Sequence, residues 1–271
     1  MFESRCRKAW ASGDSVDSLL INFGDPRVTE LASSLGWDCL WIDLEHHPRT
    51  VRELEDLCRA ARAGALGNPD GPPDIMARPG RWEFMQIGRL LEAGAAGILY
   101  PRCESADEAR EAVRWTKFCP LGERGFDGSN ADNLYGGYPA GDYVPQSNRR
   151  NWLAVQIESP AALQHVEAIA HVPGVDMVFF GPGDFSCLSG VPGQLLDPKV
   201  VDAMRRTANA CRDAGIIFGT LTLTPEQRQV AAEAGCRFFG IGSEQCLLVK
   251  ALKQLQLDLA TERQAPVGAL A

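Results

Sequence analysis

Trp152-Leu-Ala-Val-Gln-Ile-Glu158, Ser159-Pro-Ala-Ala-Leu-Gln-His-Val-Glu-Ala-Ile-Ala170 and Met177-Val-Phe-Phe-Gly-Pro-Gly-Asp184 lie close in the chain, and their reading decides the fold. The first and third are apolar runs of strand length, each closed by an acid, while the second carries apolar residues at helical spacing. Strand, helix and strand in that order read as a parallel βαβ unit, which delivers both strand ends to the same face. Two carboxylates at the mouth of a parallel sheet, Glu158 and Asp184, can hold one hard divalent cation through oxygen.

Outward from this unit the same pattern recurs. Ser18–Phe23, Cys39–Asp43, Asp74–Arg78, Gly97–Tyr100, Ile216–Thr220 and Arg237–Ile241 complete a set of eight candidate strands. Helical stretches such as Val51–Ala61, Glu83–Leu91, Ala106–Thr116 and Val200–Ala214 separate most of them. Glu92-Ala-Gly, Asp213-Ala-Gly and Glu233-Ala-Gly each set a glycine after a helix and before a strand, where a left-handed residue ends the helix. Near-continuous apolar strands alternating with helices predict a parallel sheet, and eight repeats predict closure into a (β/α)8 TIM barrel. An open doubly wound sheet fits less well, because no Gly-x-Gly-x-x-Gly follows the first strand and polar groups end at least four strands. The whole of 1–271 reads as one domain, with 122–151, rich in Gly, Asn, Asp, Tyr and Pro, expected as a loop over the barrel mouth.

A hydrophobic content of 45% over 271 residues can fill one such core. A formal charge of -8 without any Lys/Arg run argues against a nucleic-acid surface, so a small-molecule partner is expected. The charged N-terminus lacks the apolar core of a signal peptide, and no apolar stretch reaches the roughly 18 residues of a membrane span. Nine cysteines without a Cys-x-x-Cys pair read as small core residues in a reducing, cytoplasmic setting.

Polar residues end the other runs too. Trp41-Ile-Asp43-Leu-Glu45-His46 places two acids and an imidazole together, and a His oriented by Asp is suited to general-base work near neutral pH. Asp43 could instead cap the next segment while His46 packs under the loop. Arg78, before Pro79, can fork onto the carboxylate of a 2-oxo acid or form a surface salt bridge. Glu158 and Asp184 could serve as helix caps, since Pro160 favours a first helical turn. The bland readings would have to hold at four strand ends at once, which favours a metal site.

Together with Glu92–Pro101, Ala106–Ala112, Gly122-Glu-Arg-Gly125, Gln156-Ile-Glu158 and Val172–Ser186, these residues resemble the class II pyruvate-dependent aldolases, a family that includes the 4-hydroxy-2-oxoheptanedioate and 2-dehydro-3-deoxyglucarate aldolases. The resemblance runs from about Leu19 to about Leu255. It implies a barrel of the phosphoenolpyruvate/pyruvate type that binds Mg2+, Mn2+ or Co2+ through Glu158 and Asp184. It also implies that Arg78 contacts the pyruvate oxygens, that His46 is the acid/base paired with Asp43, that backbone near Gly183 touches the carboxylate, and that Gln156 lies beside the metal and substrate. The implied reaction cleaves a 4-hydroxy-2-oxo acid to pyruvate and an aldehyde. A hexamer is the implied assembly, with 245–271 packing on a neighbouring subunit.

Three departures touch the acceptor rather than the metal. Leu44 is bulkier than the small residue common there, Asn22 replaces an apolar or aromatic group, and Phe126-Asp-Gly-Ser-Asn-Ala-Asp-Asn133 replaces small and basic residues. If Asp127 and Asp132 lie at the mouth they disfavour a dianionic substrate; they could equally face solvent or a neighbour. A decarboxylase acting on oxaloacetate-like acids and a non-catalytic metabolite-binding barrel are the rival functions.

Overall fold

A computed structural model describes residues 3–264. All eight runs form strands: β1 (Val16–Leu20), β2 (Cys39–Asp43), β3 (Asp74–Arg78), β4 (Gly97–Tyr100), β5 (Trp152–Ile157), β6 (Met177–Phe180), β7 (Ile217–Leu221) and β8 (Phe238–Ser243). Neighbours pair in parallel in chain order, and β8 returns to β1, so the sheet is a closed barrel with helices between its strands. β1 begins at Val16, earlier than the apolar run, because its ladder to β8 starts at Val16 opposite Phe238.

Alternation along each strand sorts the side chains into two cores. Leu40, Ile42, Leu153, Val155, Ile157, Val178 and Phe180 face outward onto the helices. Cys39, Trp41, Met76, Leu99, Trp152, Ala154, Met177, Phe179 and Phe238 fill the interior, where the rings interlock edge to face. Gly97 makes room for the largest of them, since a Cβ there would stand 2.3 Å from the Trp152 ring.

The N-terminal end of the barrel is closed by a helix that the sequence reading did not recognise, Arg5–Ala11. Its Cys6 and Trp10 enter the interior core, with Trp10 5.4 Å from Trp152. The anchor is buried Asp74, at the start of β3, which accepts from Ser4 Oγ, Arg5 N and Trp152 Nε1.

The segment 122–151 corrects an expectation. It is not a loop over the mouth: it connects the end of the helix Ala106–Thr116 to the start of β5, both at the N-terminal end of the barrel. Ala131 N donates to Glu92 O and Arg62 Nη2 to Ala131 O, at the C-terminal ends of the helices Phe84–Glu92 and Val51–Gly64. It also contains the helix Ala140–Arg150. Asp132 is buried at its centre, accepting from Arg124 Nη1 and Tyr143 OH at 3.0 Å, Ser147 Oγ at 3.1 Å and Arg150 Nη1 at 3.0 Å. Polar composition here reflects an internal charge network rather than a loop over the mouth.

A helix at the other end of the chain, Glu244–Gln264, follows β8, and every side chain from Gln245 to Thr261 is exposed. Residues 265–271 of the expected packing segment lie outside the described residues. Among the described residues, no helix is long and apolar enough to cross a membrane. All nine cysteines are free thiols.

Candidate active site at the C-terminal mouth of the barrel

The inward parity that sets Trp41, Met76 and Ala154 in the core brings Asp43, Arg78, Gln156 and Glu158 to the axis at the C-terminal end. Asp43 and Arg78 are register partners on β2 and β3. Arg78 Nε and Nη2 donate to Asp43 Oδ1 and Oδ2 at 2.9 and 2.8 Å, a buried two-point clamp, and the guanidinium lies 4.9 Å from the centre of the Trp41 ring. This excludes the surface salt bridge for Arg78. Burial raises the Asp43 acid, but the hydrogen bonds and charge of Arg78 outweigh it and hold Asp43 below the usual carboxylate range.

Asp43 also accepts from Glu45 N at 3.0 Å and from His47 Nδ1 at 3.3 Å. The expected Asp43–His46 pair is therefore not formed in this structure. Its neighbour His47 takes that place, because His46 turns outward with 59% of its side chain exposed, against 28% for His47. The acid nearest His46 is Glu45, at 3.7 Å. His47 stood in the same dipeptide, but no sequence signal distinguished which ring faces Asp43.

Glu158 is buried, so it is not the helix cap; Ser159 holds that role, its side chain accepting from Ala162 N. Glu158 Oε1 accepts from Arg102 N at 2.9 Å and Oε2 from Gln156 Nε2 at 2.7 Å. Arg78 Nη1 reaches Gln156 Oε1 at 3.4 Å, so Arg78, Gln156 and Glu158 form one chain of contacts. Burial first, and then the negative charge of Asp184, push the Glu158 acid up to about 8. Gly181 permits this packing: a Cβ there would sit 2.7 Å from both Gln156 Nε2 and Glu158 Oε2. Asp184 lies in the first turn of the helix Pro182–Leu188, whose N-terminus has no side-chain cap, and open space lies over Gly183.

Among the described residues no group of three or more His, Cys, Asp or Glu is gathered as a metal cluster, so a divalent cation would draw on the two carboxylates Glu158 and Asp184. Burial first, and the like charge of Asp184 second, disfavour the ionised form of Glu158, and a cation bound by the two acids would offset that cost. Both are hard oxygen donors, and Gln156 steadies one of them. A groove of about 540 Å³ lies at the opposite end beside Glu3, Arg7, Lys8 and Arg149. There Arg7 and Lys8 are already paired with Asp176 and Asp70.

Residues 19–251 match the HpcH/HpaI aldolase/citrate lyase family. The chain belongs to that family. A hydroxypyruvate/pyruvate aldolase of Paraburkholderia phytofirmans is 34% identical over 89% of this chain and 92% of its own. A 2-keto-3-deoxy-L-rhamnonate aldolase of Salmonella paratyphi B is 33% identical, over 89% and 87%. A crystal structure of an HpcH/HpaI aldolase/citrate lyase family protein from Burkholderia cenocepacia superposes with a TM-score of 0.85 at 29% identity, covering 95% of this chain and 99% of the other. This HpcH/HpaI family member is a carbon–carbon lyase of the class II, metal-dependent aldolase type, and the decarboxylase alternative is not favoured.

Proposed function

We propose that this HpcH/HpaI aldolase cleaves, or in reverse forms, a 4-hydroxy-2-oxo acid as pyruvate and an aldehyde, on a barrel of the phosphoenolpyruvate/pyruvate type. Mg2+, Mn2+ or Co2+ is held by Glu158 and Asp184. The observation that carries the reading is the buried run Asp43–Arg78–Gln156–Glu158, ending on an acid that burial, and then the charge of Asp184, drive toward neutrality.

When bound, the cation polarises the 2-oxo group and stabilises the negative charge that develops on it. Asp43 fixes the plane of Arg78 through Nε and Nη2, leaving Nη1 to donate to a substrate oxygen beside Gln156. That places a fixed positive charge where charge develops, with little reorganisation. Gln156 holds one Glu158 oxygen and the main chain of Arg102 the other. The main-chain N–H groups near Gly183, at an uncapped helix start, receive the substrate carboxylate, and Asp184 enters from the same turn. His46, exposed at the mouth, takes the proton of the 4-hydroxyl during cleavage and returns it during synthesis, directly or through water.

The same reading includes a cytoplasmic homo-oligomer, a hexamer by resemblance. Leu247, Leu248, Val249, Leu252, Leu255, Leu257 and Leu259, exposed on the helix Glu244–Gln264, supply an apolar surface for a neighbouring subunit. Product analysis tests the chemistry. Equal amounts of pyruvate and aldehyde from a 4-hydroxy-2-oxo acid, abolished by chelation and restored by a divalent ion, are expected; carbon dioxide without aldehyde would overturn it.

A further inference from the structure

Arg102 follows β4 in the left-handed region, with φ of 48°, a conformation uncommon for a residue bearing a Cβ. Such backbone persists where the surroundings enforce it, and often at functional sites. Here the enforcement is visible: its main-chain N–H donates to Glu158 Oε1 at 2.9 Å, so its Cα stands beside the candidate metal ligand. The side chain, by contrast, is exposed and makes no hydrogen bond or ion pair among the described residues.

That makes Arg102 different from the other cations of the mouth. Arg78 is clamped by Asp43, Arg81 pairs with Glu108 and Glu104, and Arg49 donates to the main-chain oxygens of Asn22 and Asp43. The mouth is otherwise acidic, with Asp43, Glu45, Glu158 and Asp184 close together. One substrate carboxylate can be met by Arg78 Nη1 and the first turn at Gly183. A second carboxylate, on the aldehyde half, would meet those acids uncompensated unless a free cation stands beside them. The acidic segment that would have opposed a dianion, with Asp127 and Asp132, lies at the far end of the barrel.

We propose that Arg102 determines specificity for the acceptor: its main chain is held against Glu158, its side chain is exposed and unpaired among the described residues, and its guanidinium binds the carboxylate of an acidic aldehyde. The proposal rests on the aldolase reading above and names the substrate class of the same site. Arg suits the task because it presents two donors to a carboxylate in one plane.

The test is aldol addition by the full chain with Mn2+ and pyruvate as donor, comparing carboxylate-bearing aldehydes (glyoxylate, succinic semialdehyde) with neutral ones (glycolaldehyde, propanal). Wild type is expected to favour the acidic acceptors. Arg102→Asn tolerates the left-handed backbone and keeps the N–H to Glu158. It should lower the acidic-over-neutral ratio of kcat/KM at least tenfold, mainly through KM, and Arg102→Lys should recover part of it. A neutral preference in wild type, or equal losses for both classes in Arg102→Asn, overturns the proposal. Exchange of the pyruvate C3 protons in wild type separates the two levels. With exchange present and no charge selectivity, the Arg102 assignment alone fails; with no exchange in any divalent ion, the aldolase reading fails and takes the assignment with it.

Discussion

Asp43 and Glu158 are two carboxylates of one mouth with opposite electrostatic fates. Arg78 holds the first ionised, whereas burial and Asp184 push the second up to about 8. That contrast supports the proposed roles, in which Asp43 fixes the guanidinium and Glu158 would receive a cation. Glu158→Gln keeps the shape and removes the charge, so calorimetric titration of Mn2+ should show at least tenfold weaker binding; unchanged affinity would refute the ligand assignment. Gly181→Ala should weaken Mn2+ binding as well, since its methyl needs the space of Gln156 and Glu158. The histidines divide differently. His46→Ala should lower cleavage by about 100-fold or more, the usual range for a general base, while retaining pyruvate C3 proton exchange. His47→Ala releases one contact to Asp43 and should cost less. The reverse order would move the base to His47. The ends of the apolar runs were legible because a polar residue closing a buried strand is conspicuous. Which of two adjacent imidazoles turns inward was not, since it depends on χ angles and on the loop closed by Leu44 N to Arg78 O.

At the scale of elements, all eight strands were readable because strands buried on both faces are apolar nearly throughout. The helix Arg5–Ala11 was not. With only two buried residues among charged ones, it carries too little periodicity to distinguish it from a solvated tail. The 122–151 segment misled for a related reason: its polar residues satisfy one another internally around Asp132, and composition cannot show that. Gly97→Ala should cost roughly 1–3 kcal/mol and lower Tm, because the Trp152 ring fills the space its Cβ would need. Asp132→Asn leaves Arg124 and Arg150 without their carboxylate and should cost about 3–5 kcal/mol by urea denaturation near neutral pH. Burial alone would raise the Asp132 acid, but Arg124 and Arg150 lower it below its ordinary value. Its folded form therefore binds fewer protons than its unfolded form, so its contribution is complete above about pH 4 and is lost as pH falls further. The wild-type advantage over Asp132→Asn should narrow below that pH; a constant gap would contradict the network.

The whole molecule separates stability from chemistry along one axis. The N-terminal end is closed by Trp10, Asp74, Lys117, Asp132 and Asp176, whose partners are all internal. Toward the C-terminal end, the same inward parity changes from aromatic to ionisable residues above Trp41 and Phe179. This polarity is the usual division of labour in a (β/α)8 barrel, where chemistry sits beyond the strand ends. The exposed leucines of Glu244–Gln264 add a prediction at this scale: sedimentation should show an oligomer, and replacing Leu252 and Leu255 with Lys should dissociate it. A monomeric wild type would refute the packing role. The central claim is that the mouth activates pyruvate through Glu158, Asp184 and Arg78, and its most direct measurement is NMR of pyruvate C3 proton exchange in D2O. The predicted result is exchange that requires a divalent ion, stops on chelation and is lost in Glu158→Gln. Exchange that persists at the wild-type rate after chelation, or in Glu158→Gln, would contradict it.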